Sequence, residues 1–125
     1  MARVLLVGLD PDGVDLSDPA FPPGLTAEAI RQGIARVMDA LRAAGHDPRH
    51  LYIPADPADQ GSLAETLARD PVECVVVGGG VRLPPRNLPL FEAVLNVIAR
   101  AACRPAIALN ARPEDSAAAV ARVLG

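Results

Sequence analysis

Four times along this chain a short apolar run is followed by a segment whose apolar residues recur at helical spacing, and that rhythm restricts the fold more than any other feature. Arg3 to Leu9, His50 to Ile53, Glu73 to Val77 and Ala106 to Leu109 read as strands. Cys74-Val75-Val76-Val77 has no polar alternation, which suits a strand covered by helices on both faces. The first helix is predicted over Ala27 to Ala44, capped by Thr26 and stopped by Gly45 in a left-handed cap, with Ile30, Ile34, Val37 and Leu41 as its buried stripe. A second runs from Leu63 to Arg69, where Ser62 and Glu65 have the spacing of a reciprocal capping box and Leu63 and Leu67 face inward. A third runs from Pro89 to Ala102 behind Asn87, with Phe91, Val94, Leu95, Ile98 and Ala102 on one wide face. The last runs from Pro113 to Leu124; Pro113 suits a first helical position, Glu114 and Asp115 suit the positive end of the helix dipole, and Val120, Val123 and Leu124 pack inward.

Successive β-α units imply a mostly parallel, four-stranded sheet between two helical layers, and a doubly wound order of 2-1-3-4 sets the ends of the first and third strands side by side. The expected fold is a three-layer α/β domain of flavodoxin-like or Rossmann-like form, with residues 1–125 as a single domain. Two long connections leave the same sheet edge. Pro11 to Leu25 carries Asp12, Asp15 and Asp18, and Gly78 to Leu88 is rich in Gly and Pro. That edge is where open α/β sheets hold ligands.

Composition narrows the partners. A net charge of −3 without any polybasic run argues against nucleic acid and against an acidic membrane surface. All twelve basic residues are Arg, so the Lys that several phosphate-handling sites require is absent. Cys74 and Cys103 have no metal-ligand spacing and read as free thiols. The apolar start Val4-Leu5-Leu6-Val7 is too short for a signal-peptide core or a membrane span, and a cytoplasmic protein is expected. No cofactor and no bound metal are expected.

The candidate ligand-binding residues lie on the crowded edge: Asp10, Gly78, Gly79, Gly80, Arg82, Asn110 and Arg112. Glycines at a strand end let backbone amides approach an anion, and an Arg can clamp it bidentately. Three consecutive glycines equally serve positive φ angles or tight packing, and Asp10 equally pairs with Arg82 or Arg112 to tie the loops together. Gly78-Gly79-Gly80 is no dinucleotide fingerprint, because Leu83-Pro84-Pro85 continues it in extended form rather than opening a helix. His46 and His50 are expected at the opposite edge, away from this crevice.

Asp10-Pro11-Asp12-Gly13-Val14, directly after an apolar strand, resembles the first motif of haloacid-dehalogenase-type phosphatases. The resemblance implies Asp10 as nucleophile and Asp12 as general acid, the two catalytic candidates. The rest of that pattern is missing: Gly78 stands where Ser or Thr belongs, and no Lys exists to hold the phosphate. Asp-Pro and Asp-Gly are also plain turn formers. A two-component receiver domain is similar in size and rhythm, yet its phosphoacceptor Asp would fall on Gly78. Asp10, Asp12 and Asp15 do not keep the ligand positions of a calcium loop, and an acidic first loop is the wrong sign for the phosphate of a flavin mononucleotide.

Taken together, Val7 to Pro11, Ser17 to Ala20, Pro22 to Glu28, Gly78 to Pro85 and Asn110 to Asp115 resemble a set of small bacterial α/β proteins to which no activity is attached. Two functional classes follow from the residues. One is a site for a small polar or anionic ligand, whether or not enzymatic, at the ends of the first, third and fourth strands. The other is a protein-interaction or homo-oligomeric assembly module on a receiver-like scaffold, using Phe21, Pro22, Pro23, Pro84 and Pro85, with Leu90 and Val97 of the third helix turned toward a second copy.

Overall fold

A computed structural model describes residues 2–125 of the chain. Four strands, β1 (Arg3–Leu9), β2 (Asp47–Ile53), β3 (Cys74–Val77) and β4 (Ala106–Leu109), form one parallel sheet in the order β2-β1-β3-β4. Five helices connect and cover them: α1 (Ala27–Ala43), α2 (Gly61–Arg69), the single-turn α3 (Gly79–Arg82), α4 (Leu88–Arg100) and α5 (Ser116–Leu124). This is the three-layer, flavodoxin-like arrangement that the β-α rhythm predicts.

Side chains alternate across each strand, so the two central strands feed two separate cores. Leu5, Val7, Val75 and Val77 pack with Leu63 and Leu67 of α2 and Leu90, Val94 and Ile98 of α4. Val4, Leu6, Cys74 and Val76 pack on the other face with Val37 and Leu41 of α1 and Val120 of α5. Each fully buried Val or Leu contributes about 1.5–3 kcal/mol. The continuous apolar runs of β1 and β3 follow directly from serving both layers.

Helix α1 ends as its sequence dictates. Thr26 Oγ1 accepts from the Ala29 amide at 3.1 Å, and Gly45 takes φ +89° in a Schellman turn, with its own amide bonded to Arg42 O at 2.9 Å and the His46 amide to Leu41 O at 3.0 Å. Elsewhere the boundaries move. Strand β2 starts at Asp47 rather than His50, because pairing with Arg3 at the start of β1 extends it through the polar Asp47-Pro48-Arg49. Helix α2 starts at Gly61, and the Ser62–Glu65 capping box does not form. Gln60 precedes the helix instead, its Nε2 donating to Pro54 O and Asp56 O at 2.9 Å each.

The second long connection is not extended throughout. It folds into α3, which buries Val81, and a 3-10 turn, Pro85–Asn87, and Leu83 remains helical before Pro84. The last helix opens with a 3-10 turn over Pro113–Asp115. Leu90 is only 1% exposed, in the core of the α4 face, and so does not face outward as expected, whereas Val97 packs partly against that core and is partly exposed.

Candidate functional site

The rows of the sheet that face α1 and α5 change character toward the strand ends. Leu6, Val76 and Ala108 form one buried row; two residues further along each strand come Gly8, Gly78 and Asn110. Two neighbouring strands thus lose their side chains at the same level. Gly78 keeps a φ of −67°, so its small size rather than a left-handed backbone is what matters. A Cβ on Gly78 would stand 3.1 Å from Val7 O, and one on Gly79 would stand 3.0 Å from Ala111 O. A Cβ on Gly8 would meet nothing within 4 Å.

That open space belongs to a cleft of about 450 Å³ between the sheet edge, α1 and the first loop. Its floor is Leu6, Gly8 and Gly78. Opposite stand Ala29, Ile30, Gly33 and Ile34 of α1. Ile30 and Ile34 are accordingly half-buried, whereas Val37 and Leu41 further along the same stripe are buried in the core. The first loop supplies an outer wall through Val14, Ala20, Phe21, Pro22 and Leu25, and Gly79, Gly80 and Leu83 close the far side. Arg36, Arg112 and Glu114 stand where the cleft meets solvent. Phe21 and Pro22, residues an outward interaction surface would use, line this cavity.

Short local bonds hold the loop in shape. Asp10, Asp15 and Asp18 each accept from the amide two residues on, at 3.0, 3.0 and 2.9 Å. Arg31 pairs with Asp12 and stands 3.9 Å from Asp10, and Arg86 beyond α3 pairs with Asp18. The Ser17 hydroxyl holds Asp15 below the usual carboxylate range, and the Ala20 amide does the same for Asp18. The partner of Asp10 is therefore Arg31 rather than Arg82 or Arg112. Asp10 and Asp12 are exposed, outside the cleft lining.

Of the residues singled out from sequence, Gly78, Gly79, Gly80, Asn110 and Arg112 line the cleft, and Asp10 and Arg82 do not. The Gly78 amide is already committed to Val7 O at 2.8 Å, which leaves Gly79 and Gly80 facing the space. Arg82 turns sideways: its Nη2 donates to the main-chain carbonyl of Asn110, fixing α3 to the end of β4. Asn110 is 3% exposed. Its Nδ2 donates to Ser116 Oγ at 2.7 Å, and its Oδ1 has no partner among the described residues.

The residue that sequence reasoning misplaced is His50. Once β2 reaches back to Asp47, His50 pairs with Leu6 in register, shares its face, and joins the cleft lining. Its Nε2 is buried without a partner among the described residues, and its ring meets Tyr52 edge-on with centroids 4.3 Å apart. Burial pushes its pKa below the ordinary value, so the imidazole is neutral at physiological pH. The signal available was period two along Pro48, His50 and Tyr52, which becomes visible only with the correct strand start.

The cleft is thus a largely apolar concavity at the strand-order reversal, with arginines and Glu114 at its opening, the composition of a ligand pocket. Among the described residues, no group of three His, Cys, Asp or Glu side chains is placed to hold a metal ion, and no helix is long and apolar enough to cross a membrane. No family model, curated protein or solved structure matches the chain.

Proposed function

We propose that this protein binds a small organic molecule in the cleft between the ends of β1, β3 and β4 and the first turns of α1. The observation that carries the reading is the pair Gly8 and Gly78 at the strand-order reversal, opening a largely apolar space that His50, Asn110 and the α1 residues Ile30 and Ile34 also line. The exposed Arg36 and Arg112 at the opening suit a polar or anionic group on the part of the ligand nearest solvent.

A thermal-shift screen of nucleobases, carboxylates, phosphorylated metabolites and divalent ions tests the reading, run in parallel on wild type and Gly8→Leu. Binding to the folded state alone raises the melting temperature by mass action. A shift in wild type that vanishes in Gly8→Leu supports the cleft; shifts identical in both proteins place the ligand elsewhere and overturn it.

A further inference from the structure

Resting on the cleft as a small-molecule site, we infer that its ligand is a carboxylic acid with an apolar body, the body inside the cleft and the carboxylate held at the opening by Arg36 and Arg112. The distribution of charge over the lining carries the inference. Leu6, Phe21, Leu25, Ile30, Ile34 and Leu83 give the cleft an apolar interior, and among the described residues its charged lining is confined to Arg36, Arg112 and Glu114, all three exposed. These three lie on adjoining elements. A Cβ built on Gly33 would stand 3.9 Å from Arg36 Nη2 and 3.5 Å from Pro113 Cβ, so the guanidinium folds back over α1 beside the 3-10 turn that Arg112 precedes and Glu114 belongs to. Gly33, Arg36 and Glu114 also share a smaller hollow of about 190 Å³.

The two arginines are uncommitted. Arg31 is taken by Asp12, Arg86 by Asp18 and Arg82 by the Asn110 carbonyl, whereas among the described residues neither Arg36 nor Arg112 makes an ion pair with Glu114 or with any other carboxylate. A guanidinium presents a planar fork of donors that matches a carboxylate, and two of them from separate elements suit one anionic group. Glu114 beside them offsets one positive charge, which favours a singly charged carboxylate over a doubly charged phosphate. The remaining titratable group of the lining, His50, is neutral at physiological pH, so the rest of the ligand is uncharged. An apolar body there covers the surface of Phe21, Ile30 and Ile34, which the fold leaves half-buried.

The experiment measures dissociation constants at pH 7.5, by calorimetry or ligand-observed NMR, for butanoate, octanoate, octyl phosphate, octan-1-ol and octylammonium. The proteins are wild type, Gly8→Leu and the double variant Arg36→Gln/Arg112→Gln, whose exposed, unpaired positions leave the fold intact; urea midpoints check both variants. Octanoate is expected to bind wild type roughly tenfold tighter than octan-1-ol, and tighter than butanoate by about threefold for each added CH₂. In the double variant octanoate and the alcohol come within about threefold of each other, and Gly8→Leu abolishes binding of every probe. Octyl phosphate binding tightest, through the same arginines, would replace the carboxylic acid with a phosphate monoester and sink the class argued here. Octan-1-ol or octylammonium equal to octanoate and lost in Gly8→Leu, or an octanoate preference undiminished in the double variant, would keep the cleft and overturn the carboxylate at these arginines. Octanoate binding that survives Gly8→Leu, or no binding by any probe, would remove the cleft reading as well.

Discussion

The amide of Gly78 donates to the carbonyl of Val7 at 2.8 Å, carrying the β1–β3 ladder one step past Val77 and setting Gly78 beside Gly8 at the cleft floor. The two glycines nevertheless differ in what they tolerate. A side chain on Gly8 enters empty space, so Gly8→Leu keeps the fold and changes stability by no more than about 1–2 kcal/mol, with a gain expected from the apolar area it buries. Gly78→Ala forces a methyl to 3.1 Å from a strand carbonyl that the ladder holds in place, and costs about 1–3 kcal/mol. Urea denaturation of the two variants measures the contrast.

The loop ties are expected to act locally. Surface ion pairs contribute about 0–1 kcal/mol, so Arg86→Ala leaves global stability almost unchanged. Hydrogen exchange tells more: amides between Val14 and Leu25 exchange faster in Arg86→Ala, and those of the β1–β3 ladder do not. Equal acceleration in both regions would mean that this pair supports the whole fold.

Stability depends on pH through His50. Its folded pKa is lowered by burial, so between that value and the ordinary 6.5 the unfolded chain binds more protons than the folded one. The stability is fully present above 6.5 and is lost as pH falls through the folded value. Melting temperature therefore drops more between pH 7.5 and 5.5 in wild type than in His50→Gln. Asp15 and Asp18, both held low, act only in more acidic solution. Parallel pH profiles would remove the imidazole as the cause.

The two thiols differ in reactivity. Burial pushes Cys74 up to about 11, and its side chain packs under α1 and α5. Cys103 is partly exposed after α4. Iodoacetamide at pH 8 is expected to modify Cys103 in the native protein and both residues in denaturant, read by mass spectrometry. Native labelling of Cys74 would contradict the packing.

Much of the architecture was legible because central parallel strands must be apolar on both sides. β1 and β4 have the limits read from sequence, and the 2-1-3-4 order follows from the β-α rhythm. Thr26 and Gly45 fix the ends of α1 through local chemistry that needs no tertiary context. Residues whose role depends on partners distant in sequence were harder. Asp47-Pro48-Arg49 has turn composition and becomes strand only by pairing with β1, so the register of His50 was hidden. Arg82 was read as a clamp for an anion, yet a carbonyl at the end of β4 takes its Nη2. Gly8 drew no notice, since a single glycine in an apolar run acquires meaning only beside Gly78.

The turns made by Asp10, Asp15 and Asp18 bear on how a molecule would enter. Each carboxylate caps its own backbone turn, and Arg86 ties Asp18 to the segment beyond α3, so a fifteen-residue connection that could behave as a loose flap stands as a preformed wall. Little ordering then remains to be done when the cavity fills. Association governed by diffusion through the opening beside Arg36 and Arg112, in a single kinetic phase, is the behaviour such a wall produces.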